Sequence, residues 1–421
     1  MKALTQSFVS RYGAALEYKE FRLMWTANAF AQAAAWGLIV ARGWLVFNDT
    51  NSSFWVGATT FAAMGPLFVV PPIVGVLADR MDRRTILAWS YGVNTLHNLA
   101  LFAGALLGVL DIWMIVALAV VNGVARAAQL PTSQALAASL VPRDKLLNAL
   151  SLNASTQHGS RLIGPGVITP LLSILGAPAA FFVCTAFYLA GLSRVLAMQP
   201  RPPERLSSAT ESIWANFAGG VTYVYMRPIL RFTIMLALFH CSLTMAFESL
   251  LPGFSHDKLN AGGGGFGTLI MGVGAGALVA SIFISGIQTS RARGNVLVIT
   301  GLLSGLGQTV LALTSVLWLA TIAAALMGGA QAAFMTMTQS ITQATAADEY
   351  RGRVASLNTL GLGGMMATMN LLNGTLADQF GATSLLFWEG IIFAGIVALS
   401  LFVVTGRRVY GRAPTLEAQP A

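Results

Sequence analysis

Charge is scarce in this sequence. Only 10% of its 421 residues are Asp, Glu, Lys or Arg, against roughly 25% in a soluble chain. Lysine is nearly missing: Lys2, Lys19, Lys145 and Lys258 are the whole set, and none follows a glycine. The Gly-x-x-x-x-Gly-Lys-Ser/Thr phosphate loop is therefore absent, which excludes a motor driven through that site. The metalloprotease pattern His-Glu-x-x-His and the hydrolase pattern Gly-x-Ser-x-Gly are missing as well, so an embedded enzyme of those kinds is set aside. The two cysteines, Cys184 and Cys241, lie inside apolar runs without metal-ligand spacing. They exclude a disulfide framework and a zinc site, and no cofactor is expected. The opening MKALTQSFVSRYGAALEYKEFR has no short apolar core ending in a small-residue cleavage site, so the first span is expected to serve as its own insertion signal.

What the chain has instead is apolar length. Hydrophobic residues make up 55% of it, and runs of about 18 or more mostly apolar residues recur from end to end. The fold class expected is an all-α membrane protein with twelve spans, approximately 22–47, 54–78, 85–109, 112–139, 149–175, 178–198, 228–254, 263–288, 295–314, 316–345, 354–378 and 382–405. The links NDTNSS, LGAP and FGA are short and force antiparallel neighbours. The longest polar stretch, from Gln199 to Arg227, holds Pro200, Pro202, Pro203, Glu204 and Arg205. It divides the chain into an N-terminal six-helix bundle (1–198), a linker (199–227), a C-terminal six-helix bundle (228–405) and a tail (406–421).

The net charge of +9 does not point to nucleic acid, because the basic residues are dispersed over short loops. They report topology instead. One side collects Arg11, Arg22, Arg80, Arg83, Arg84, Arg143, Arg194, Arg227, Arg291, Arg351 and Arg407 among others, whereas the opposite side has only Lys258. Both termini and the linker are thus expected in the cytoplasm, with the protein in a bacterial-type inner membrane. The halves also repeat. At an offset of about 205 positions Gly123 falls on Gly328, Gln134 on Gln339, Ser151-Leu152-Asn153 on Ser356-Leu357-Asn358, and Gly176-Ala177 on Gly381-Ala382. Parallel half-repeats with a site between them typify one large class of secondary transporter.

Between spans 2 and 3 stands GVLADRMDRR, with Gly75, Leu77, Ala78, Asp79, Arg80, Arg83 and Arg84. With this topology the motif resembles the major facilitator superfamily signature Gly-x-Leu-Ala-Asp-Arg-x-Gly-Arg-Arg/Lys. Asp82 replaces the usual glycine, and the second-half loop GIQTSRARGN keeps Gly286, Arg291 and Arg293 without an acid. The stretches SLVPRDKLLNALSLNAS, RLIGPG, LLPGFSHDKLNAGGGGFGTLIMGVGAGAL and DEYRGRVASL are similar to the transmembrane secretion effector branch. That branch holds siderophore exporters of the enterobactin type and macrolide efflux proteins. The resemblance implies a gating role for Gly75, Asp79, Arg80, Arg83 and Arg84, and an antiporter-type element at Gly164, Pro165 and Gly166. It also implies a central cavity lined by spans 1, 4, 7 and 10.

Polar residues at membrane depth are costly and cluster at functional sites. Span 1 carries Asn28, Gln32 and Arg42 at helical spacing, and span 4 carries Asn122, Arg126, Gln129 and Ser133. Arg126 and Arg161, with Gln157 one turn before the latter, suit an anionic or hydrogen-bonding substrate. Arg42, nearer a span end, is read as snorkelling. In the second half Gln331 of span 10 is a cavity candidate, and His240 and Glu248 of span 7 are proton-coupling candidates. Asp378 and Glu389 are read as structural or topological. The expected function is a proton-coupled exporter of amphipathic small molecules, siderophore-like or drug-like. It would act as a monomer whose partners are substrate, protons and membrane lipids. An importer or lipid flippase of the same fold, and a non-transporting membrane sensor or assembly factor, are the alternatives.

Overall fold

The computed structural model describes residues 14–78, 81–200, 213–284 and 289–411. Its regular structure is helical, with no strand among the described residues. In chain order the helices are α1 (Lys19–Thr50), α2 (Ser53–Met64), α3 (Pro66–Ala78), α4 (Arg83–Leu107), α5 (Ile112–Ser139), α6 (Leu146–Leu196), α7 (Ile213–Met226), α8 (Pro228–His240), α9 (Gly262–Ile284), α10 (Ser290–Leu313), α11 (Leu317–Thr345), α12 (Arg351–Phe380), α13 (Ala382–Ser400) and α14 (Val404–Val409). Between α8 and α9 lie two π-helical turns, Cys241–Met245 and Phe254–Lys258, on either side of a short turn at Leu251–Gly253.

Among the described residues nine helical segments are long and apolar enough to cross a membrane. One of them, Asn148–Leu196, has 49 residues. At helical rise that is about 73 Å, more than twice a hydrocarbon core. It is folded back at Gly176, whose φ of 78° and ψ of −174° break the helix. Two further helices, α4 with 25 residues and α12 with 30, are long enough but more polar. Their buried amides, Asn94 and Asn98 on α4 and Asn370 and Asn373 on α12, lower the hydropathy.

The chain forms two compact units, one of Met1–Val46 with Ala62–Ser208, the other of Phe47–Phe61 with Ala209–Ala421. In the first, α4 packs on α5 and α6. Tyr91 of α4 meets Tyr188 of α6 edge-on at 6.1 Å, and Gly191 leaves room for its ring. Small residues let the backbones approach: a Cβ on Gly123 would overlap the Ala63 carbonyl, and one on Gly164 the Ala33 carbonyl. Gly164 of the expected antiporter element is therefore a close contact point of α6 on α1.

In the second unit α9 crosses α11 through Gly272, Gly276 and Gly328, and α10 meets α13 at Gly305 and Gly390. Phe334, Phe393, Val397 and Tyr410 fill the space between these helices. The first turns of α2 also belong to this unit. Asp378 of α12 caps them, accepting from the Ser52 hydroxyl (2.5 Å) and from the backbone N–H groups of Ser53 (2.7 Å) and Phe54 (3.2 Å). Close by, Gly374 rests on the Ser53 carbonyl and Gly57 on that of Asn370.

The sequence repeat has structural meaning at two positions. Gly123 and Gly328 are each pressed against a carbonyl of another helix of their own unit. Gly176 and Gly381 both have positive φ, 78° and 81°, where a side chain would strain the backbone. Gly123→Ala and Gly328→Ala should each cost about 1–3 kcal/mol by overpacking, seen as a lower unfolding temperature in detergent. At Gly92 a methyl group would meet no neighbouring atom within 4 Å, and this position should accept alanine without loss.

Candidate functional site

In the first unit several polar residues of the spans bond across to neighbouring helices. Asn122 of α5 donates to the Asn94 side chain of α4 at 2.7 Å, and Gln129 reaches the Tyr91 hydroxyl at 3.5 Å. Asn28 and Gln32 of α1 are buried, and Gln157 is exposed. Arg161 lays its guanidinium over the ring of Trp36, 4.6 Å from the centroid, a cation–π contact between α6 and α1. Arg126 is half-buried and lies within electrostatic reach of Tyr188. Arg42 does not snorkel. It is 5% exposed and acts electrostatically on buried His97, because α1 runs on to Thr50 and keeps this turn inside the unit.

Of the gating motif, Asp79 and Arg80 lie outside the described residues, and Gly75 falls in α3. The rest of the turn has a clear local role. Asp82 is the N-cap of α4, its carboxylate accepting from the Arg84 N–H at 2.9 Å. Arg84 then donates through Nε to the Val195 carbonyl (3.1 Å) and through Nη2 to that of Leu196 (2.6 Å). A cation thus satisfies the terminal carbonyls of α6, where the helix dipole is negative. Asp82 supplies by its side chain the start of α4 that the resembled signature leaves to glycine. Gly164, Pro165 and Gly166 all sit within α6, without a break at that point.

The second unit holds a feature that hydropathy does not reveal. Residues 228–254 were expected as one continuous span, but α8 ends at His240 and widens into the π turn Cys241–Met245. At Ala246 the backbone leaves the helix, with φ −87° and ψ 46°. Inside a bilayer no water can serve the backbone groups so released. Side-chain amides serve them. Gln308 of α10 donates to the Leu243 carbonyl at 2.9 Å, Gln331 of α11 to that of Thr244, and Asn373 of α12 to that of Ala246 at 2.9 Å. Asn370 of α12 accepts from the Ser249 N–H at 3.1 Å. Three helices thus provide four amides to one interrupted segment. Gln331, expected from its sequence position to line a cavity, bonds backbone here.

Around this break lie the titratable residues of the unit's interior. Glu248 is 7% exposed, within the break itself. His240 is fully enclosed. Its Nε2 lies 3.1 Å from the Ser304 hydroxyl, and its ring sits between Phe334 at 4.3 Å and Phe393 at 5.0 Å. Glu389 of α13 is buried too. Gln308 Nε2 approaches its carboxyl at 3.4 Å, and the Asn373 amide lies within electrostatic reach of it. Gln308, Asn370, Asn373 and Glu389 were not singled out from sequence as site residues. The signals for them were single amides within apolar runs, and the Pro252-Gly253 pair, which opposes a continuous helix. Gln308→Leu or Asn373→Leu should each strand a buried carbonyl. The expected cost is about 1–3 kcal/mol, measured as a lower unfolding temperature, while Gln343→Leu on the half-exposed end of α11 should change little.

Comparison with known proteins agrees with this architecture. Over 384 residues the chain is 24% identical to the multidrug efflux pump Tap of Mycolicibacterium fortuitum, covering 86% of this chain and 91% of that one. Over 394 residues it is 22% identical to macrolide efflux protein A of Streptococcus pyogenes, with coverage of 89% and 93%. Over 347 residues it is 24% identical to the enterobactin exporter EntS of Shigella flexneri, with coverage of 79% and 81%. Among solved structures the nucleoside transporter NupG superposes with a TM-score of 0.72 at 11% identity, over 93% of this chain and 98% of that one. A POT family transporter gives 0.70 at 13%, over 92% and 96%. These structures share the helical fold of this chain. Residues 11–409 match the family described as transmembrane secretion effector, and the chain belongs to that family.

Proposed function

We propose that this protein exports amphipathic small molecules across a bacterial-type inner membrane by alternating access, in exchange for protons. The observation that carries the reading is the family match over residues 11–409, together with relatives named as macrolide, multidrug and enterobactin exporters. Twelve spans in two six-helix halves, 1–198 and 228–405, would provide the rocking bodies, with the linker 199–227, the tail 406–421 and both termini in the cytoplasm. The protein would work as a monomer among lipids, without cofactor or enzymatic step, since the sequence offers no nucleotide-binding loop.

Chemistry supports the substrate class. Arg126 and Arg161 lie on neighbouring helices of one unit, where guanidinium groups would attract a carboxylate or catecholate. Arg161 already has an aromatic platform in Trp36. Glu248, buried in the interrupted segment, and His240 are the proton-coupling candidates.

The test is transport by the purified protein in liposomes. With the compartment that receives substrate held acidic, a labelled macrolide or a ferric-free catecholate should accumulate there. A protonophore should abolish the accumulation; accumulation indifferent to it removes proton coupling, and no movement of either probe removes the export reading. Arg126→Ala should weaken the catecholate about tenfold, the scale of one charged hydrogen bond, and leave a neutral macrolide unchanged. Glu248→Gln should lower substrate-driven proton flux, and an unaltered flux would eliminate Glu248 from the coupling.

A further inference from the structure

The amides that hold the interrupted segment are shared with a carboxyl. Gln308 Nε2 lies 2.9 Å from the Leu243 carbonyl and 3.4 Å from a Glu389 carboxyl oxygen. Asn373 donates to the Ala246 carbonyl at 2.9 Å, and its amide also lies within electrostatic reach of Glu389. Each amide, with two N–H groups to give, therefore faces two acceptors, one on the backbone of the break and one on α13. Among the described residues no cation pairs with Glu389, whose polar neighbours are these two neutral amides.

We infer that Glu389 is a proton-operated control on the break between α8 and α9, acting through Gln308 and Asn373. With the carboxyl protonated, both amides serve the backbone carbonyls. Gln308 lies nearer the Leu243 carbonyl than the Glu389 carboxyl, the geometry that this arrangement calls for. Loss of the proton to solvent makes the carboxylate the stronger acceptor, since hydrogen bonds to charged oxygen are roughly twice as strong as those to neutral oxygen. The amides are then drawn towards Glu389, and their bonds to the carbonyls of Leu243 and Ala246 lengthen and weaken. A segment already off helical geometry at Ala246 becomes free to rearrange. Glu389 is a positioning residue here, because it reaches the backbone only through the amides. The inference goes beyond the export reading and does not depend on substrate or direction.

The ionisable groups on the elements packed against α13 offer few rivals. On α8 and its π turn these are Arg231, His240 and Cys241. His240 is one ring away, against Phe393, with Nε2 engaged by Ser304. The break itself brings Glu248. The Phe254–Lys258 turn brings His256, Asp257 and Lys258, of which the first two pair at 2.8 Å and are more than half exposed. On α10, Arg291 and Arg293 lie in the first turn, the far end from Gln308. On α12, Arg351 and Arg353 open the helix, and Asp378 near its end is engaged by Ser52, Ser53 and Phe54.

Hydrogen exchange of the full chain in lipid nanodiscs tests this, followed by mass spectrometry over residues 241–250 from about pH 5 to about pH 9. Rates are corrected for the intrinsic effect of pH. In the wild type, exchange should rise about tenfold towards alkaline pH, the scale of one lost backbone hydrogen bond or two weak ones. Glu389→Gln keeps the shape, cannot ionise, and should stay protected throughout. Gln308→Leu should exchange faster already at acid pH and show a smaller step. A flat wild-type profile overturns the inference, as does a step that survives in Glu389→Gln, which would assign it to His240 or Glu248. Proton-driven transport by Glu389→Gln at wild-type rate with an unchanged exchange step would also overturn it. Exchange that follows Glu389 in a protein with no proton-driven transport would leave the inference standing and remove only the coupling.

Discussion

A bilayer core offers backbone groups no water, so every carbonyl freed from a helix needs a partner from within the protein. The interrupted segment after α8 is where this constraint is most demanding. Its geometry releases the carbonyls of Leu243, Thr244 and Ala246, and Gln308, Gln331 and Asn373 supply the missing donors. Helix ends at more exposed places are closed by side chains too. Arg84 closes the end of α6, and Asp378 closes the start of α2. Polar side chains in this protein are scarce, and many of those in the described spans are committed to backbone. That commitment makes the second unit's interior responsive: an amide shared by two acceptors answers to a change in either one.

Most of the helical architecture was legible from sequence, because a membrane helix is written as an uninterrupted apolar run of sufficient length. The expected spans at 112–139 and 316–345 match α5 (Ile112–Ser139) and α11 (Leu317–Thr345) closely. The turn glycines Gly176 and Gly381 also stood out, because the repeat aligned them and only glycine adopts their backbone at little cost. The break after His240 was illegible by the same logic. The residues CSLTMAF that form it are as apolar as any helix, and hydropathy records composition rather than backbone angle.

The polar site was legible in residue type and not in role. Asn122, Gln129, Arg161 and Gln331 stand out in the sequence as polar residues within apolar runs, but sequence spacing cannot say whether an amide faces a cavity or a carbonyl. Asn122 and Gln129 turned out to address α4, and Gln331 the backbone of the π turn. Gln308, Asn370 and Asn373 went unremarked because their significance depends on a released backbone group more than 60 residues away in sequence. Asp82 was read as a departure from a motif, and its worth lay in a two-residue hydrogen bond to Arg84.

The cap on α2 has a consequence for how the chain is made. The Ser52 hydroxyl that helps open this helix bonds to a carboxylate 326 positions later. A ribosome delivers that partner only after nearly the whole protein has been synthesised. The second helix to be inserted therefore waits, with its first N–H groups uncapped, for almost the last one. Completion of an early element is thereby tied to arrival of the late one, and a chain cut short before Asp378 would carry that opening turn unfinished.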